Sequence, residues 1–273
     1  LNNYIDYIQT LINVIMVALE NKKLFNERLD KERLQRELEL AAEVQNMLIP
    51  QQLPQNEVMD VCSTYLPNQN IGGDFFDFIT LSPTEVLWCI ADVSGKGISA
   101  ALLMANFQAS LRALVSVEVD LCTLVEKINN VVYNNTKGDN FITLFIGKYN
   151  SASRKLTYIN AGHNATILFQ DEEVTLLKEG TVMIGAFDRL PFVKEGEISL
   201  SRNAFLFNYT DGVVDYDGEE HLAFSEENLI PFVKNIHQYD CAHINIEVIT
   251  KLKELRNNHP ATDDITILSI RIH

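Results

Sequence analysis

The first 49 residues contain neither glycine nor proline, and the run ends only at Pro50. Nothing else in the chain narrows the choice of fold as much, because glycine and proline are the residues that most readily interrupt a helix. Apolar side chains fall at Ile8, Ile12, Ile15 and Leu19, then at Phe25 and Leu29, and resume at Leu34, Leu38, Ala41 and Leu48. That spacing is one helical stripe. The five-residue step from Leu29 to Leu34 shifts its phase as a coiled-coil stutter does. The centre, "ENKKLFNERLDKERLQRELEL", interleaves both signs of charge, which suits solvated faces around one narrow apolar seam. We therefore expect residues 1–54 to form a dimerising coiled-coil linker, with a helix packed on its own domain as the alternative. "IPQQLP", with Pro50 and Pro54, stops the helix and marks the boundary.

The longest unbroken apolar run in this segment is Val14 to Leu19, far short of the roughly 20 residues that span a membrane. We expect a chain that is not membrane-spanning. The pattern begins mid-stripe at Leu1 without a signal peptide, which suggests a fragment of a longer cytoplasmic protein. The four cysteines, Cys62, Cys89, Cys122 and Cys241, form no C-x-x-C pair, so a disulfide framework or zinc site is not expected. The formal charge is −15, from 22 basic and 37 acidic side chains. A nucleic-acid partner is excluded on that balance, because a phosphate backbone is met by clustered Lys and Arg. Phosphate groups remain accessible to such a chain if cations supply the positive charge.

From residue 58 the texture changes to short strands separated by turns. "FFDFITL" (75–81) and "EVLWCIA" (85–91) flank "SPT" as a hairpin. Two apolar helices follow, over 98–115 and 121–136, then strands in "FITLFIGKYN", "KLTYINAGH", "ATILFQ", "EVTLLK", "EGEISLS" and "NAFLFNYTDG". Helical patterns at 225–236 and 243–257 lead to a last strand, "DITILSIRI". Strands and helices are segregated, which predicts an α+β fold with mostly antiparallel sheets over residues 55–273.

Acidic residues recur where these strands begin or end: Asp74 before 75–81, Asp92 after 85–91, Asp211 after 204–209, and Asp263 and Asp264 before 265–272. Any one of them is explained by the preference of Asp for turns. In an antiparallel sheet, however, the end of one strand and the start of its neighbour share an edge, so all of them can meet at one rim. Carboxylates gathered there repel unless cations sit among them, and oxygen donors select Mg²⁺ or Mn²⁺ over zinc. "IADVSGKGIS" (90–99) does not satisfy the phosphate-loop pattern, since Gly97 stands where Ser or Thr is needed and Ile90 where the first glycine belongs. Lys96 reads as an exposed turn residue and His163 as a hydrogen-bonded structural histidine.

"IGGDFFDF", "IADVSGKGISAALLM", "LTYINAGHN", "YTDGVVD" and "TDDITIL", in this order, resemble the SpoIIE-like (RsbU-like) branch of the metal-dependent PPM serine/threonine protein phosphatases, relatives of the type 2C enzymes. The resemblance covers about residues 60–272, and "AAEVQNMLIPQQLP" is similar to the linkers that join sensors to such phosphatases. It implies a four-layer α-β-β-α sandwich of two mainly antiparallel sheets, with two Mn²⁺ or Mg²⁺ ions at one end. Carried over by motif, Asp92 is the bridging carboxylate, the Val93 carbonyl a ligand of the second ion, and Asp211 and Asp263 ligands of the first. Asp74 is a near-site carboxylate that meets the metal site through metal-bound water and acts with Asp92 in catalysis. Asp264 flanks Asp263, and the motif leaves open which of the pair is the direct ligand. Ser94 stands where type 2C relatives carry histidine. Gln69 stands where they carry an arginine that binds phosphate, so the phosphate-recognition group is unassigned. The resemblance implies hydrolysis of phosphoserine or phosphothreonine on a partner protein, such as an anti-sigma factor antagonist, in bacterial signalling. The homodimer expected from the N-terminal helix supplies regulation, and a catalytically silent dimeric interaction module of the same fold is the alternative.

Overall fold

The glycine- and proline-free run is a single helix, α1 (Asn2–Leu48), in the computed structural model, which describes residues 2–116, 118, 120–215, 223–257 and 259–273. The chain divides into two units, Leu1–Val44 and Gln45–His273. Taken by itself, the first is helix with an uncovered apolar surface: Ile8, Ile12, Ile15, Leu19, Phe25 and Leu34 are all exposed. Its charges pair along the helix, Lys23 with Glu27 at 3.9 Å and Arg28 with Glu32 at 2.9 Å. Such i,i+4 pairs contribute about 0.3–0.5 kcal/mol each. No helix among the described residues is long and apolar enough to cross a membrane.

The second unit is built on two sheets. One has the order β1 (Met59–Leu66), β11 (Ile265–Ile272), β10 (Ala204–Tyr209), β6 (Thr166–Gln170) and β7 (Glu173–Leu177). The other runs β2 (Phe75–Thr80), β3 (Glu85–Val93), β4 (Ile142–Asn150), β5 (Lys155–Ala161) and β8 (Gly180–Thr181), with β9 (Gly196–Ser199) also on β5. Every pairing is antiparallel except β5 with β8. The "SPT" turn joins β2 to β3 as expected, with Phe75 opposite Ala91.

Strand alternation sorts the core into layers. On β3, Leu87, Cys89 and Ala91 join Met104, Phe107 and Leu111 of α2 (Ile98–Leu114) and Leu124, Ile128 and Val132 of α3 (Leu121–Thr136). Trp88 and Ile90 face the opposite way, into the layer between the sheets with Leu206, Leu268 and Ile270. The outer face of the first sheet, Phe205, Phe207 and Ile267, is covered by α4 (Glu226–Ile236) and α5 (Cys241–Leu255), through Leu229, Val233, Ile244 and Val248. The result is the expected α-β-β-α sandwich. Asp120 and Asp240 cap α3 and α5, accepting from the Thr123 and His243 N–H groups at 2.9 and 2.8 Å. The four cysteines are free thiols.

β1 and β8 were not separately legible in the sequence. β1 carries a mixed polar pattern, MDVCSTYL, and β8 is two residues long and exists only through its pairing with β5. Packing of the second unit begins at Gln45, within the last turn of α1, and takes in Ile49 and Leu53.

Candidate functional site

The acidic strand-end residues come from both sheets and lie at one end of the sandwich. Asp74 enters β2 almost completely buried, at 1% exposure. Its Oδ2 accepts from Thr210 Oγ1 at 2.7 Å and Thr266 Oγ1 at 2.6 Å, both carried by the facing sheet. Thr210 Oγ1 also accepts from the Thr266 N–H at 2.9 Å, so the two hydroxyls and one carboxylate form a closed network. Asp92, the penultimate residue of β3, lies opposite Thr143 on β4 and within hydrogen-bond reach of Asp74. Burial, followed by the charges of Asp211, Asp263 and Asp264, pushes its pKa up to about 8. Burial and the Asp92 charge also raise Asp74, against the pull of the two threonine hydroxyls.

Asp211 opens a single 3₁₀ turn (Asp211–Val213) after β10, and its carbonyl accepts from Val214 and Asp215. Burial and Asp263 raise its pKa, while the Gly212 N–H and Lys96 lower it. Asp263 and Asp264 are neighbours with different surroundings. Asp264 grips the 68–73 loop, Oδ1 accepting from the Asn68 N–H at 2.8 Å and Oδ2 from the Gly73 N–H at 2.7 Å. Asp263 is 40% exposed at the side chain and pairs with Lys96 Nζ at 3.0 Å. Of the two, Asp263 faces the rim, while both oxygens of Asp264 are committed to backbone.

The turn after β3 passes close to this loop. A side chain on Gly73 would lie 2.9 Å from the Val93 carbonyl oxygen, so glycine there lets that carbonyl sit against the loop. Gly95 and Gly97 have φ of 96° and 75°, values that other residues rarely adopt. They bracket Lys96, which is held out over Asp263 and the Thr262 carbonyl, 2.8 Å away. Lys96 is thus a partnered rim residue, where the sequence suggested only an exposed turn. Gln69 lies by the same turn, its Oε1 3.7 Å from where a Gly97 side chain would begin. Ser94 is committed to β4: its N–H donates to the Phe141 carbonyl and its Oγ accepts from the Phe141 N–H, both at 2.9 Å.

His163 is buried, with Nδ1 2.8 Å from Thr143 Oγ1 and its ring turned toward the Tyr209 backbone. Burial depresses its pKa to about 4, so it is neutral and structural. Sequence reading missed Thr210 and Thr266. The signal was available for the threonines, each next to or two residues after an acidic residue in "YTDG" and "DDIT", but threonine in a strand carries no chemical flag of its own. It also missed Gln45, whose amide makes paired bonds to Gly72, donating to its carbonyl at 2.7 Å and accepting from its N–H at 3.1 Å.

The donor set is all oxygen, largely buried and negative, which fits hard divalent cations. Among the described residues no three His, Cys, Asp or Glu side chains close around a single point; the carboxylates line a rim rather than a cage.

The sequence model of the family described as Stage II sporulation protein E (SpoIIE) matches residues 82–273. Phosphoserine phosphatase RsbU of Bacillus subtilis (strain 168) is 25% identical over 280 residues, covering 97% of this chain and 77% of that protein. Among solved structures, the SiaA-PP2C domain of Pseudomonas aeruginosa superposes with a TM-score of 0.78 at 20% identity, over 89% of this chain and 98% of that one. RsbX, solved in complex with magnesium, superposes with a TM-score of 0.61 at 18% identity, over 81% and 99% of the two chains. The family match takes in Asp92, Asp211 and Asp263 and begins after Asp74, and the chain belongs to the SpoIIE family, within the RsbU-like branch of the PPM serine/threonine protein phosphatases.

Proposed function

We propose that this chain hydrolyses phosphoserine or phosphothreonine on a partner protein, with two Mn²⁺ or Mg²⁺ ions held at the carboxylate rim. Asp92, Asp211, Asp263 and the Val93 carbonyl are the groups that would hold them. The observation that carries this reading is the convergence of Asp74, Asp92, Asp211 and Asp263 with raised Asp74, Asp92 and Asp211 pKa values at one buried rim. Acidic groups crowded in this way favour divalent cations over an empty site. The relative RsbX, solved with magnesium, supports the same choice of ion.

Bound there, a pair of divalent ions lowers the pKa of a water and offsets the charge of the phosphoryl group. The chain's own residues then orient and move protons. Asp74, fixed by two hydroxyls in one position, aims the attacking water and takes its proton. Asp264 and Gln45 hold the loop that places Asp74, one from each side. No thiol or imidazole nucleophile is needed, in keeping with the burial of His163 and Cys89.

The substrate we assign is a phosphorylated signalling protein, an anti-sigma factor antagonist by analogy with the family. The apolar stripe of α1 joins two copies as a coiled coil, and residues 1–54 act as the regulatory linker. Gln45 and Leu48, near its end, belong to the second unit, where the Leu48 carbonyl accepts from Gln108 of α2 at 2.8 Å. A change in linker packing is thereby passed to the helix that leaves the Asp92 turn. Sedimentation of the intact chain against one lacking residues 1–44 tests the dimer: an unchanged mass would remove it.

Hydrolysis of an aryl phosphate with and without Mn²⁺, in the intact chain and in Asp92→Asn, tests the activity. Metal-dependent turnover lost in the variant is the expected result. Tight Mn²⁺ binding without turnover would instead point to an enzyme held off by regulation, and no binding would remove the assigned site.

A further inference from the structure

We propose that Lys96 is the group that recognises the phosphoryl oxygens of the substrate, a role resting on the phosphatase reading above. A phosphate dianion approaching this rim meets Asp92, Asp211 and Asp263 in a chain of formal charge −15. It therefore needs a cation on the protein as well as any held at the rim. Three of the described basic groups differ in what they are committed to. Arg112 is spent on Asp77, with Nε to Oδ2 and Nη2 to Oδ1 both at 2.8 Å. Arg256 is 3% exposed and donates to the Gly212 carbonyl behind Asp211. Lys96 is the one at the surface of the rim, its side chain 47% exposed.

Its placement suits the task. The ammonium lies 3.0 Å from Asp263 and 2.8 Å from the Thr262 carbonyl, and it acts electrostatically on Asp211. It stands on a turn between two positive-φ glycines, which sets its stem over the carboxylates without an obstructing side chain on either side. Once Asp263 gives its charge to a divalent ion, the attraction that holds Nζ on Asp263 weakens. A compact ammonium on a four-carbon stem with three donors is then free to turn toward an incoming phosphoryl oxygen. Gln69, beside the same turn, offers a neutral amide only, which is why the charge has to come from Lys96.

The test uses the full chain saturated with Mn²⁺ and inorganic phosphate as the probe. Phosphate affinity is measured calorimetrically, alongside KM and kcat for an aryl phosphate. Lys96→Met should weaken phosphate binding and raise KM about tenfold, the order expected for one charge-assisted hydrogen bond, with kcat within about threefold. Lys96→Arg should recover part of the loss, and Mn²⁺ affinity in Lys96→Met should be unchanged or tighter. Unchanged phosphate affinity and KM in a folded, Mn²⁺-loaded Lys96→Met protein would overturn the assignment while leaving the phosphatase intact. Loss of Mn²⁺ binding in both Lys96 variants would also overturn it, making Lys96 a support of the ion site. A wild-type chain with neither Mn²⁺ binding nor turnover would defeat the underlying reading instead.

Discussion

Asp74 and Asp77 stand three residues apart at the start of the same strand, both almost fully buried, and the fold treats them in opposite ways. Asp77 is neutralised from within by a forked pair of bonds to Arg112, which also ties α2 to the sheet. Among the described residues Asp74 has no basic hydrogen-bond partner; two threonine hydroxyls hold it, and its electrostatic neighbours are Asp92 and Asp264. A buried carboxylate is tolerated only when its charge is answered. Asp77 is answered by the chain itself. Asp74 and its neighbours leave that answer to something that binds.

The sharpest way to break this contrast is to remove one carboxylate from each group. Asp92→Asn should reduce Mn²⁺-dependent turnover of an aryl phosphate by about 1,000-fold or more, the scale of losing a bridging charge in two-metal chemistry. In metal-free protein the same change should leave the thermal midpoint level or higher, because it removes the cost of burying that carboxylate among other acidic groups, which the fold meets by holding it protonated. Asp77→Asn should do the reverse, lowering the midpoint while Mn²⁺ affinity stays as it was. If Asp92→Asn melts lower than wild type without metal, the rim is not held under mutual repulsion and the contrast fails.

His163 supplies a third case, a buried titratable group kept neutral. Its pKa in the fold is about 4, below the ordinary histidine value of about 6.5. Between those two pH values the unfolded chain binds a proton that the folded chain does not. Stability is therefore lost as pH falls from 6.5 to 4, by up to about 3 kcal/mol at the lower end. Asp92, with its pKa raised to about 8, has the opposite sign: between about pH 4 and 8 the unfolded chain releases a proton that the metal-free fold keeps, so stability is lost as pH rises. The difference between wild type and His163→Asn across pH 4–6.5 isolates the imidazole. A chemical-shift titration of His163 with a midpoint near 6.5 would remove the effect.

How much of this was legible before the structure depends on whether a residue announces itself locally. Asp92, Asp211 and Asp263 each follow or precede an apolar strand pattern, so both their existence and their shared rim could be read from strand alternation. The boundaries of α3 and β7 came out within a residue for the same reason, since period and turn signals agree there. The split between Asp263 and Asp264 was not readable, because it depends on which carboxylate meets the Asn68 and Gly73 N–H groups, nearly 200 residues away in sequence. The Asp77–Arg112 pair was hidden too. Asp77 sits inside "FFDFITL" as a polar interruption, and only the packing of α2 against β2 brings the guanidinium over it. Lys96 is exposed on its turn as expected, but its pairing with Asp263 was hidden, because a Gly-Lys-Gly turn looks the same whether its lysine meets water or a carboxylate.

Arg112→Ala tests the self-neutralised side directly. It should cost about 2 kcal/mol, below the 3–5 kcal/mol of a fully buried pair because the guanidinium is half-exposed. That lowers the thermal midpoint by roughly 4–8 °C in a domain of this size.

The smallest expected effect probes the other side. Thr266→Val deletes one of the two hydroxyls on Asp74 Oδ2 and should cost about 1 kcal/mol. Thr210→Val should cost more, since that oxygen also accepts the Thr266 N–H and its loss leaves a buried backbone donor without its partner. Because both hydroxyls meet on one oxygen, the double variant should fall short of the sum of the two single losses. Saturating Mn²⁺ should shrink each loss, since a nearby cation then offsets the negative charge that the hydroxyls help to hold. Additive losses of equal size, unaffected by Mn²⁺, would mean that Asp74 is a structural residue like Asp77 and that the division between the two ends of this short segment is not electrostatic.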